Sequence, residues 1–487
     1  MIFGKLTSRV ALVAAGRLAV PAAALATNMI LARVLAREAL GRLQEVSVHL
    51  QIVLNIATVV IQTTLYNFLP RVAPAQRRSF LRRNAGAVIV AAAIVSGTVY
   101  LGAEPIAWWV GEAANTPLVR AAAVALFVSI VATLADPIFI VHERGDLSAA
   151  TTVLGAAVQV GCVAALVRDD GRLIYFFWAI AVGQVLRLVW GGTFARCHLP
   201  RGEEEPAPSE IFAQELAFMG PVALTAALDT VSSNLDRVLV ARLFDPAAMA
   251  AYTLGAVELP FIGVLMGAVT AVLLPNLAEK LARGEFGQVR ETWARAVRKG
   301  AVILFGLFWL FLWIAEEFMT LLFSSRYTES ATYFRVYLLL LPMRAIAFMP
   351  ILYALGKATT VLVGAAGDLV LNLALSLVFI KVLGLDVAGA AWGTVAATIL
   401  QSVFYLAAVR SAMKTSWDAL LPWRALARDF LLAGVWMLPL AGVRLFTAPH
   451  WVRLGVAMLL GTCYAAFVVL PQLRHAGDAE DTNRCTM

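Results

Sequence analysis

Charged residues are scarce in this 487-residue chain, and their scarcity excludes most soluble proteins. Asp, Glu, Lys and Arg together make up 14% of the residues. A soluble chain carries about 25%. Hydrophobic residues make up 61%, and the mean hydropathy is +0.80. No stretch between the apolar runs is long enough to form a soluble domain. The composition therefore indicates a membrane protein.

The chain also lacks the usual sequence signs of catalysis and of cofactor binding. Its cysteines have no paired spacing and its five histidines do not group, which predicts neither a disulfide framework nor a metal site. We find no GxxxxGK[ST] nucleotide loop, no HExxH motif and no GxSxG nucleophile elbow. We therefore expect no enzyme, no catalytic residue, no metal and no cofactor.

What the chain does contain is a series of apolar stretches of membrane-spanning length. A bilayer core of about 30 Å needs roughly 20 apolar residues per helix. Spanning segments must be helical, because lipid leaves the backbone no other hydrogen-bond partner. We expect an all-α polytopic membrane protein with about 14 transmembrane helices. The predicted spans are 8–32, 46–69, 85–110, 119–141, 148–167, 173–193, 215–243, 248–275, 300–323, 331–355, 359–381, 386–409, 428–446 and 451–471.

The basic residues predict the orientation. The formal net charge is +8, but Lys and Arg concentrate in segments next to alternate spans, including 71–84, 276–299 and 410–428. This is the positive-inside pattern, and it argues against a nucleic-acid partner. We expect both termini in the cytoplasm.

Cysteine labelling tests this orientation. Ala75→Cys and Gly287→Cys should stay unmodified when intact cells are treated with an impermeant maleimide, whereas Ala114→Cys and Ala247→Cys should react. The reverse pattern would overturn the orientation.

Short sequence matches recur in order at a spacing of about 205–209 residues, which indicates an internal repeat. ILARVL at 30–35 corresponds to LVARLF at 239–244, NFLP at 67–70 to VLLP at 272–275, and ATTVL recurs at 150–154 and 358–362. Each unit has six spans, so both units share one orientation, as in transporters built from parallel repeats around a V-shaped central cleft. The predicted parts are an N-terminal six-helix bundle (1–195), a cytoplasmic linker (196–214), a C-terminal six-helix bundle (215–410), two additional helices (411–472) and a cytoplasmic tail (473–487).

Polar residues inside the predicted spans are the candidate transport residues, because an ionisable group in the bilayer costs several kcal/mol. Span seven is the richest, with Asp229, Ser233 and Asp236 spaced to share one face of a continuous helix. Asp136 and Arg187 lie near span ends, and we interpret them as residues that anchor the spans at the membrane surface. The candidates for the substrate path are Arg17, Asn28, Arg237, Glu258, Arg344 and Asn372, and those for ion coupling are Asp229, Asp236 and Asp368.

Two stretches resemble the polysaccharide-export flippases of the multidrug/oligosaccharidyl-lipid/polysaccharide exporter superfamily. NLDRVLVARLFDPAAMAAYTLGAVELP matches their seventh and eighth spans through Asp236, Arg237 and Tyr252. ALGKATTVLVGAAGDLVLNLALSLVFIKVLGLDVAGAAWGT resembles spans eleven and twelve, through Gly356, Lys357, Asn372, Gly384 and 389–391.

The resemblance implies that undecaprenyl-diphosphate-linked oligosaccharide is flipped across the cell inner membrane, beside glycosyltransferases and a polysaccharide polymerase. Lipid II flippases are the alternative, although Arg17 is here the one clear equivalent of their several first-half arginines. Multidrug exporters of the superfamily have an acidic residue in span one, and Arg17 argues against them. An integral-membrane enzyme would need a large outer loop for its catalytic acids, and a scaffold would have little need for intramembrane charge. H⁺ and Na⁺ both stay open as coupling ions.

Overall fold

A computed structural model describes residues 2–142, 144–198, 209–257, 259–445 and 449–472, without the side chains of residues 2–15, 17, 198, 209, 260, 261, 264, 268, 444 and 445. In the first half the helices are α1 (Ile2–Val34), α2 (Arg37–Phe68), α3 (Arg77–Leu101), α4 (Ala103–Val110), α5 (Thr116–Ala132), α6 (Ala135–Val141), α7 (Gly145–Leu166), α8 (Ile174–His198), α9 (Ser209–Ser232) and α10 (Leu235–Leu243). They continue with α11 (Pro246–Gly255), α12 (Pro260–Ala282), α13 (Phe286–Phe323), α14 (Ser330–Leu338), α15 (Leu340–Arg344), α16 (Phe348–Ala354), α17 (Ala358–Lys381), α18 (Ala388–Met413), α19 (Trp417–Leu420), α20 (Trp423–Leu445) and α21 (His450–Tyr464).

The predicted fold class is confirmed. Across the described residues, 13 helical segments are long and apolar enough to cross a membrane, and a shorter apolar segment, Leu18–Val34, lies in α1. Large apolar side chains point outward on these segments; Val90, Ile94 and Leu431 are 59%, 64% and 64% exposed. So much exposed apolar surface suits a molecule surrounded by lipid.

Several predicted spans are interrupted helices, and the interruptions have local causes. The turn between α9 and α10 falls at Ser233 and Asn234, whose side chains donate to the carbonyl oxygens of Asp229 (2.6 Å) and Thr230 (2.9 Å). Such bonds compete with the helical backbone pattern. Between α5 and α6, Thr133 donates to the Ile130 carbonyl, and Pro137 has no N–H for a helical bond to Thr133.

The long basic segment 276–299, predicted to be a loop, is helical. Helix α12 ends at Ala282, a turn follows in which Gly284 has a φ of +76°, and α13 begins at Phe286. The start of α13 buries Val289, Trp293 and Val297 at every fourth position. The segment escaped prediction because its charged residues lie on the opposite, solvated face of an amphipathic helix.

The chain divides into two compact units, 1–253 and 254–487. In the first, α8 packs against α5 and α7, and α3 against α5. In the second, the equivalent helices repeat these pairings: α18 packs against α14 and α17, and α13 against α14. Helix α9 packs against α2 in the first unit, so grouping by contact does not divide the chain at the linker. The predicted domain boundaries, which follow the sequence repeat, stay a prediction; 199–208 of the linker and the tail 473–487 lie outside the described residues.

The two additional helices, α20 and α21, pack against α13 and form ion pairs with it. Arg298 of α13 donates to Asp429 of α20 at 2.9 Å, and Arg453 of α21 donates to Glu317 of α13 at 2.6 Å. Between these ion pairs, the Tyr464 hydroxyl donates to the Val302 carbonyl oxygen at 2.8 Å. Because both carboxylates are almost completely buried, the attachment is specific.

Of the two GxxxG pairs in the sequence, only one packs closely. A Cβ atom on Gly389 would lie 2.8 Å from the Ile380 backbone nitrogen, and one on Gly393 would overlap Ser376. At Gly263 and Gly267 a Cβ atom would meet nothing within 4 Å among the described residues, so this pair does not mark a close helix contact. Residue spacing alone does not show which face of a helix has a neighbour.

This difference predicts the effect of enlarging each glycine. Gly393→Leu should force α17 and α18 apart and destabilise the protein by about 1–3 kcal/mol or more. Gly267→Leu, the matched control, should leave thermal stability in detergent nearly unchanged. Equal melting temperatures for the two variants would contradict the assigned helix contact.

Candidate transport site

The predicted residues of span seven meet at the turn between α9 and α10. Asp236, in the first turn of α10, is 3% exposed, and its Oδ2 accepts a hydrogen bond from the Tyr252 hydroxyl at 2.7 Å. Arg237 donates to Asn234 Oδ1 at 3.2 Å. The positive end of the α10 dipole also favours a carboxylate at this place. The turn therefore holds a carboxylate and a guanidinium in defined positions within the apolar part of the chain.

The expected single face of Asp229, Ser233 and Asp236 does not form. Because the helix is interrupted after Ser232, Asp229 and Ser233 are exposed whereas Asp236 is buried. Periodicity arguments assume an unbroken helix, and the side-chain bonds of Ser233 and Asn234 interrupt this one.

Span one contributes Asn28 of α1, whose Oδ1 accepts from Gln44 of α2 at 3.0 Å. This bond connects two neighbouring helices of the first unit. Arg17 lies in the same helix, and its side chain is outside the described part of the structure.

In the second unit, Arg344 lies at a break in span ten. It is the last residue of α15, and Ala347, just before α16, has the unusual φ of +48°. The indole nitrogen of Trp293 donates to the carbonyl oxygen of Ile346 at 3.0 Å, which satisfies an acceptor that the break leaves without a helical partner.

Arg344 also lines a pocket with Val257, Leu259, Ile262 and Tyr337. Val257 and Leu259 lie between α11 and α12, where span eight is interrupted as well. The predicted candidate Glu258, between them in sequence, lies outside the described residues. Interrupted spanning helices are the usual place for substrate sites in transporters, because turns there expose backbone groups and side chains.

Asn372 and Asp368, both on α17, have different environments. Asn372 is 1% exposed, and its Oδ1 accepts from Ser376 at 3.1 Å and from Thr394 of α18 at 3.2 Å. It holds α17 and α18 together. Asp368 is half-buried, one helical turn before Asn372. Asp236 and Arg237 thus belong to the first unit, whereas Arg344, Asp368 and Asn372 belong to the second.

One polar network within the spans joins four helices and was not predicted as a network. Asp136 of α6 and Arg187 of α8, each 15% exposed, form an ion pair of 2.8 Å. Gln62 of α2 (3.2 Å) and Ser148 of α7 (2.9 Å) also donate to Asp136. Four helices bring these groups together, so Asp136 and Arg187, interpreted from the sequence as anchors near span ends, are parts of one paired network. The available sequence signal was the presence of opposite charges in spans four and six of one bundle.

Two further buried carboxylates escaped prediction because they lie at predicted span ends. Glu45 is 1% exposed in α2, which begins nine residues before the predicted 46–69, at Arg37. A Cβ atom on Gly111 would lie 2.6 Å from its Oε2, so a side chain at 111 would crowd this carboxylate. Glu215 of α9, 2% exposed, accepts from Arg83 at 3.0 Å and from Asn84 at 3.2 Å, both on α3.

Taken together, the described spans contain both guanidinium and carboxylate groups. Within the described part of the chain, no group of three or more His, Cys, Asp or Glu could hold a metal ion. Guanidinium groups such as Arg344 can bind phosphate oxygens in pairs. Buried carboxylates such as Asp236 carry a cost that depends on their protonation and on the ions nearby, so they can bias a conformational equilibrium.

A comparison of two substitutions tests whether Asp236 acts through its charge. Tyr252→Phe removes one hydrogen bond and should cost about 1 kcal/mol of stability with transport retained. Asp236→Asn keeps the size and a hydrogen-bond acceptor but removes the charge, and we expect it to stop net transport while the purified protein still binds substrate. Asp229→Asn and Asp368→Asn serve as parallel tests. Normal transport by all three Asn variants, at normal abundance and at any external pH, would exclude these carboxylates from coupling.

Comparisons with known proteins identify a sequence family and a shared fold. The model of a family described as polysaccharide biosynthesis protein matches residues 30–332. The chain is similar in structure to an inward closed conformation of the lipid II flippase MurJ, with a TM-score of 0.69, 12% identity and coverage of 92% of this chain and 96% of that one. A search of curated proteins found no matching sequence.

Multidrug transporters share the same architecture. An inward-facing multidrug resistance MATE family transporter of the MOP superfamily has a TM-score of 0.66 and 13% identity, with coverage of 83% of this chain and 99% of that one. A MOP superfamily transporter from Pyrococcus furiosus has a TM-score of 0.55 and 13% identity, with coverage of 83% and 96%. At these identities the likeness concerns the fold.

Proposed function

Because the chain belongs to the polysaccharide biosynthesis protein family and has the fold of MOP superfamily transporters, we propose that it is a lipid-linked oligosaccharide flippase. Its substrate is a polysaccharide repeat unit on undecaprenyl diphosphate, moved from the cytoplasmic to the outer leaflet of the inner membrane by alternating access. The observation that carries the proposal is the family match over most of the chain, on a multi-pass architecture.

The intramembrane charges suit this substrate. A diphosphate must lose water to cross the bilayer, and guanidinium groups along its path replace that water with paired hydrogen bonds. In this proposal Arg17 and Arg344 are the candidate cationic contacts of the diphosphate, and Asn28, Arg237 and Glu258 are further candidates for the substrate path. Asp229, Asp236 and Asp368 are the candidates for coupling flipping to H⁺ or Na⁺. Asn372, 1% exposed, connects α17 and α18 instead. The membrane partners are a polysaccharide polymerase and glycosyltransferases, and both termini face the cytoplasm.

A lipid II flippase is the second candidate. The observation in its favour is the similarity to MurJ over 92% of this chain. Both substrates carry a diphosphate on a polyprenyl chain, so the arginines do not discriminate between them.

Reconstitution of the purified full chain distinguishes the two. Proteoliposomes should contain either undecaprenyl-diphosphate-linked oligosaccharide or lipid II, and the sugar that becomes accessible to an impermeant oxidant should be measured over time. We expect movement of the oligosaccharide lipid above that in protein-free liposomes. Movement of lipid II alone would establish the second candidate, and movement of neither, with H⁺ and Na⁺ gradients tested in both directions, would reject both.

A further inference from the structure

The buried carboxylate of Glu45, near the start of α2, has no part in the function proposed above. Glu45 is 1% exposed, and its Oε2 has no hydrogen-bond partner among the described residues. A buried carboxylate oxygen normally accepts hydrogen bonds, because burying a charged group without such partners is costly. The state in which Glu45 is buried therefore needs an explanation beyond helix packing.

Two segments cover this end of α2, and a glycine allows each of them to approach. A Cβ atom on Gly41, one turn before Glu45, would overlap the carbonyl oxygen of Pro246 at the start of α11. A Cβ atom on Gly111, just after α4, would lie 2.6 Å from Glu45 Oε2 and 3.6 Å from Asn115 Nδ2. Asn115 is also 1% exposed, and its Nδ2 has no hydrogen-bond partner within the described part of the chain. The empty side-chain position of Gly111 thus adjoins two buried polar groups that are not satisfied.

The charges that act on Glu45 are mainly negative. Glu112 and Asp245, both exposed, repel a charge on Glu45, whereas Arg42 attracts it. Asp245 accepts a hydrogen bond from the backbone N–H of Ala248 at 2.7 Å, and this position at the start of α11 favours its ionised form. Among these interacting groups, three carboxylates share one guanidinium, so Arg42 alone does not balance a charge on Glu45.

The surroundings of Glu45 suit a proton better than a metal ion. His49, one turn further along α2, donates through Nδ1 to the backbone carbonyl oxygen of Glu45 at 2.7 Å, and its ring packs edge-on against Trp109. This bond satisfies the backbone and not the Glu45 carboxylate. Within the described residues, no group of three or more His, Cys, Asp or Glu could hold a metal ion. A proton needs no such set of ligands, and burial beside other carboxylates favours the neutral form of a carboxyl group.

We propose that Glu45 is a proton-binding site of the first unit that binds and releases H⁺ as the external pH changes. The bound proton removes the buried charge and makes the carboxyl group a hydrogen-bond donor. The Asn115 amide, which has both a donor and an acceptor end, can partner either form. Segments 111–118 and 244–248, which adjoin the site, are predicted to lie outside, so the proton comes from the external solution. The proposal does not depend on the transported substrate.

Two measurements on the purified full chain in detergent test this site. Glu45→Gln has nearly the same shape as the protonated residue and cannot ionise. The variant and the unmodified chain should have equal melting temperatures at a pH of about 5, and the variant should melt several degrees higher at a pH of about 9, where Glu45 carries a buried charge. Infrared difference spectra between the same two pH values should show the C=O band of a protonated carboxyl group, and Glu45→Gln should lack that band.

Matched controls separate this site from other groups that titrate. Glu38→Gln removes an exposed carboxylate from the same helix and should melt like the unmodified chain at both pH values. His49→Gln removes the neighbouring imidazole and should keep the infrared band and the pH dependence. Three results would overturn the proposal: a Glu45→Gln variant that keeps the band, a pH dependence that disappears in His49→Gln, or stabilisation of the unmodified chain, but not of Glu45→Gln, when Na⁺ replaces K⁺ at constant pH. The last result would identify a sodium site.

Discussion

Arg344→Ala is expected to abolish flipping while leaving the protein folded and inserted. Arg344 ends α15 at the break in span ten and lines a pocket whose other walls are largely apolar, so few groups there can replace its charge. Loss of a charged contact to a dehydrated diphosphate should cost at least about 3 kcal/mol, or more than a hundredfold in rate. The measurement is transport by proteoliposomes that contain equal amounts of each variant.

Two further variants test whether the loss of transport comes from the guanidinium group of Arg344. Arg344→Lys should restore only part of the activity, because an ammonium group is a point charge and lacks the paired donors of guanidinium. Arg295→Ala, at an exposed position on α13, is the matched control and should transport normally. If Arg344→Ala transports at the normal rate, Arg344 does not contact the substrate, and Arg17→Ala becomes the remaining test of a cationic contact to the diphosphate.

Asp136→Ala should have the largest effect on stability. The substitution leaves Arg187, 15% exposed, without its carboxylate partner, and it also removes the acceptor for Gln62 and Ser148. Breaking a buried ion pair by removing one partner costs about 3–5 kcal/mol. We expect much lower abundance in the membrane and a lower melting temperature after purification.

The double variant Asp136→Ala, Arg187→Leu tests the cause. It removes both charges and should recover a large part of the lost stability, because no uncompensated charge remains. Asp146→Ala, which breaks the exposed pair with Arg144 (43% and 44% exposed), is the matched control and should cost no more than about 1 kcal/mol. A double variant as unstable as Asp136→Ala would show that the hydrogen bonds to Asp136, and not the charge on Arg187, account for the loss.

The predictions for Arg344 and for Asp136 differ in whether the sequence alone could have led to them. Arg344 is a candidate that the sequence alone predicts, because an arginine within an apolar run is unusual whatever surrounds it. The pairing of Asp136 with Arg187 needed the structure, because the two residues are 51 positions apart and on different helices.

An all-helical, multi-pass membrane protein could be predicted from the sequence alone, and the sequence motifs indicated the superfamily. These conclusions depend on properties that are local along the chain: the length of an apolar run and its composition decide whether it spans a bilayer. The prediction of a membrane-spanning segment is confirmed even where the helix is interrupted, as between α9 and α10. A short turn changes the mean hydropathy of the segment very little.

Tertiary structure decided which polar residues share a site and which glycines mark a helix contact. Gly393 packs against Ser376, whereas a Cβ atom on Gly267 would meet nothing within 4 Å among the described residues. Both glycines belong to GxxxG pairs. Asp236 is buried whereas Asp229 is exposed, because the helix is interrupted between them. The burial of a side chain and its ion pairing depend on neighbours that folding brings from distant positions in the chain. Local composition does not specify those neighbours.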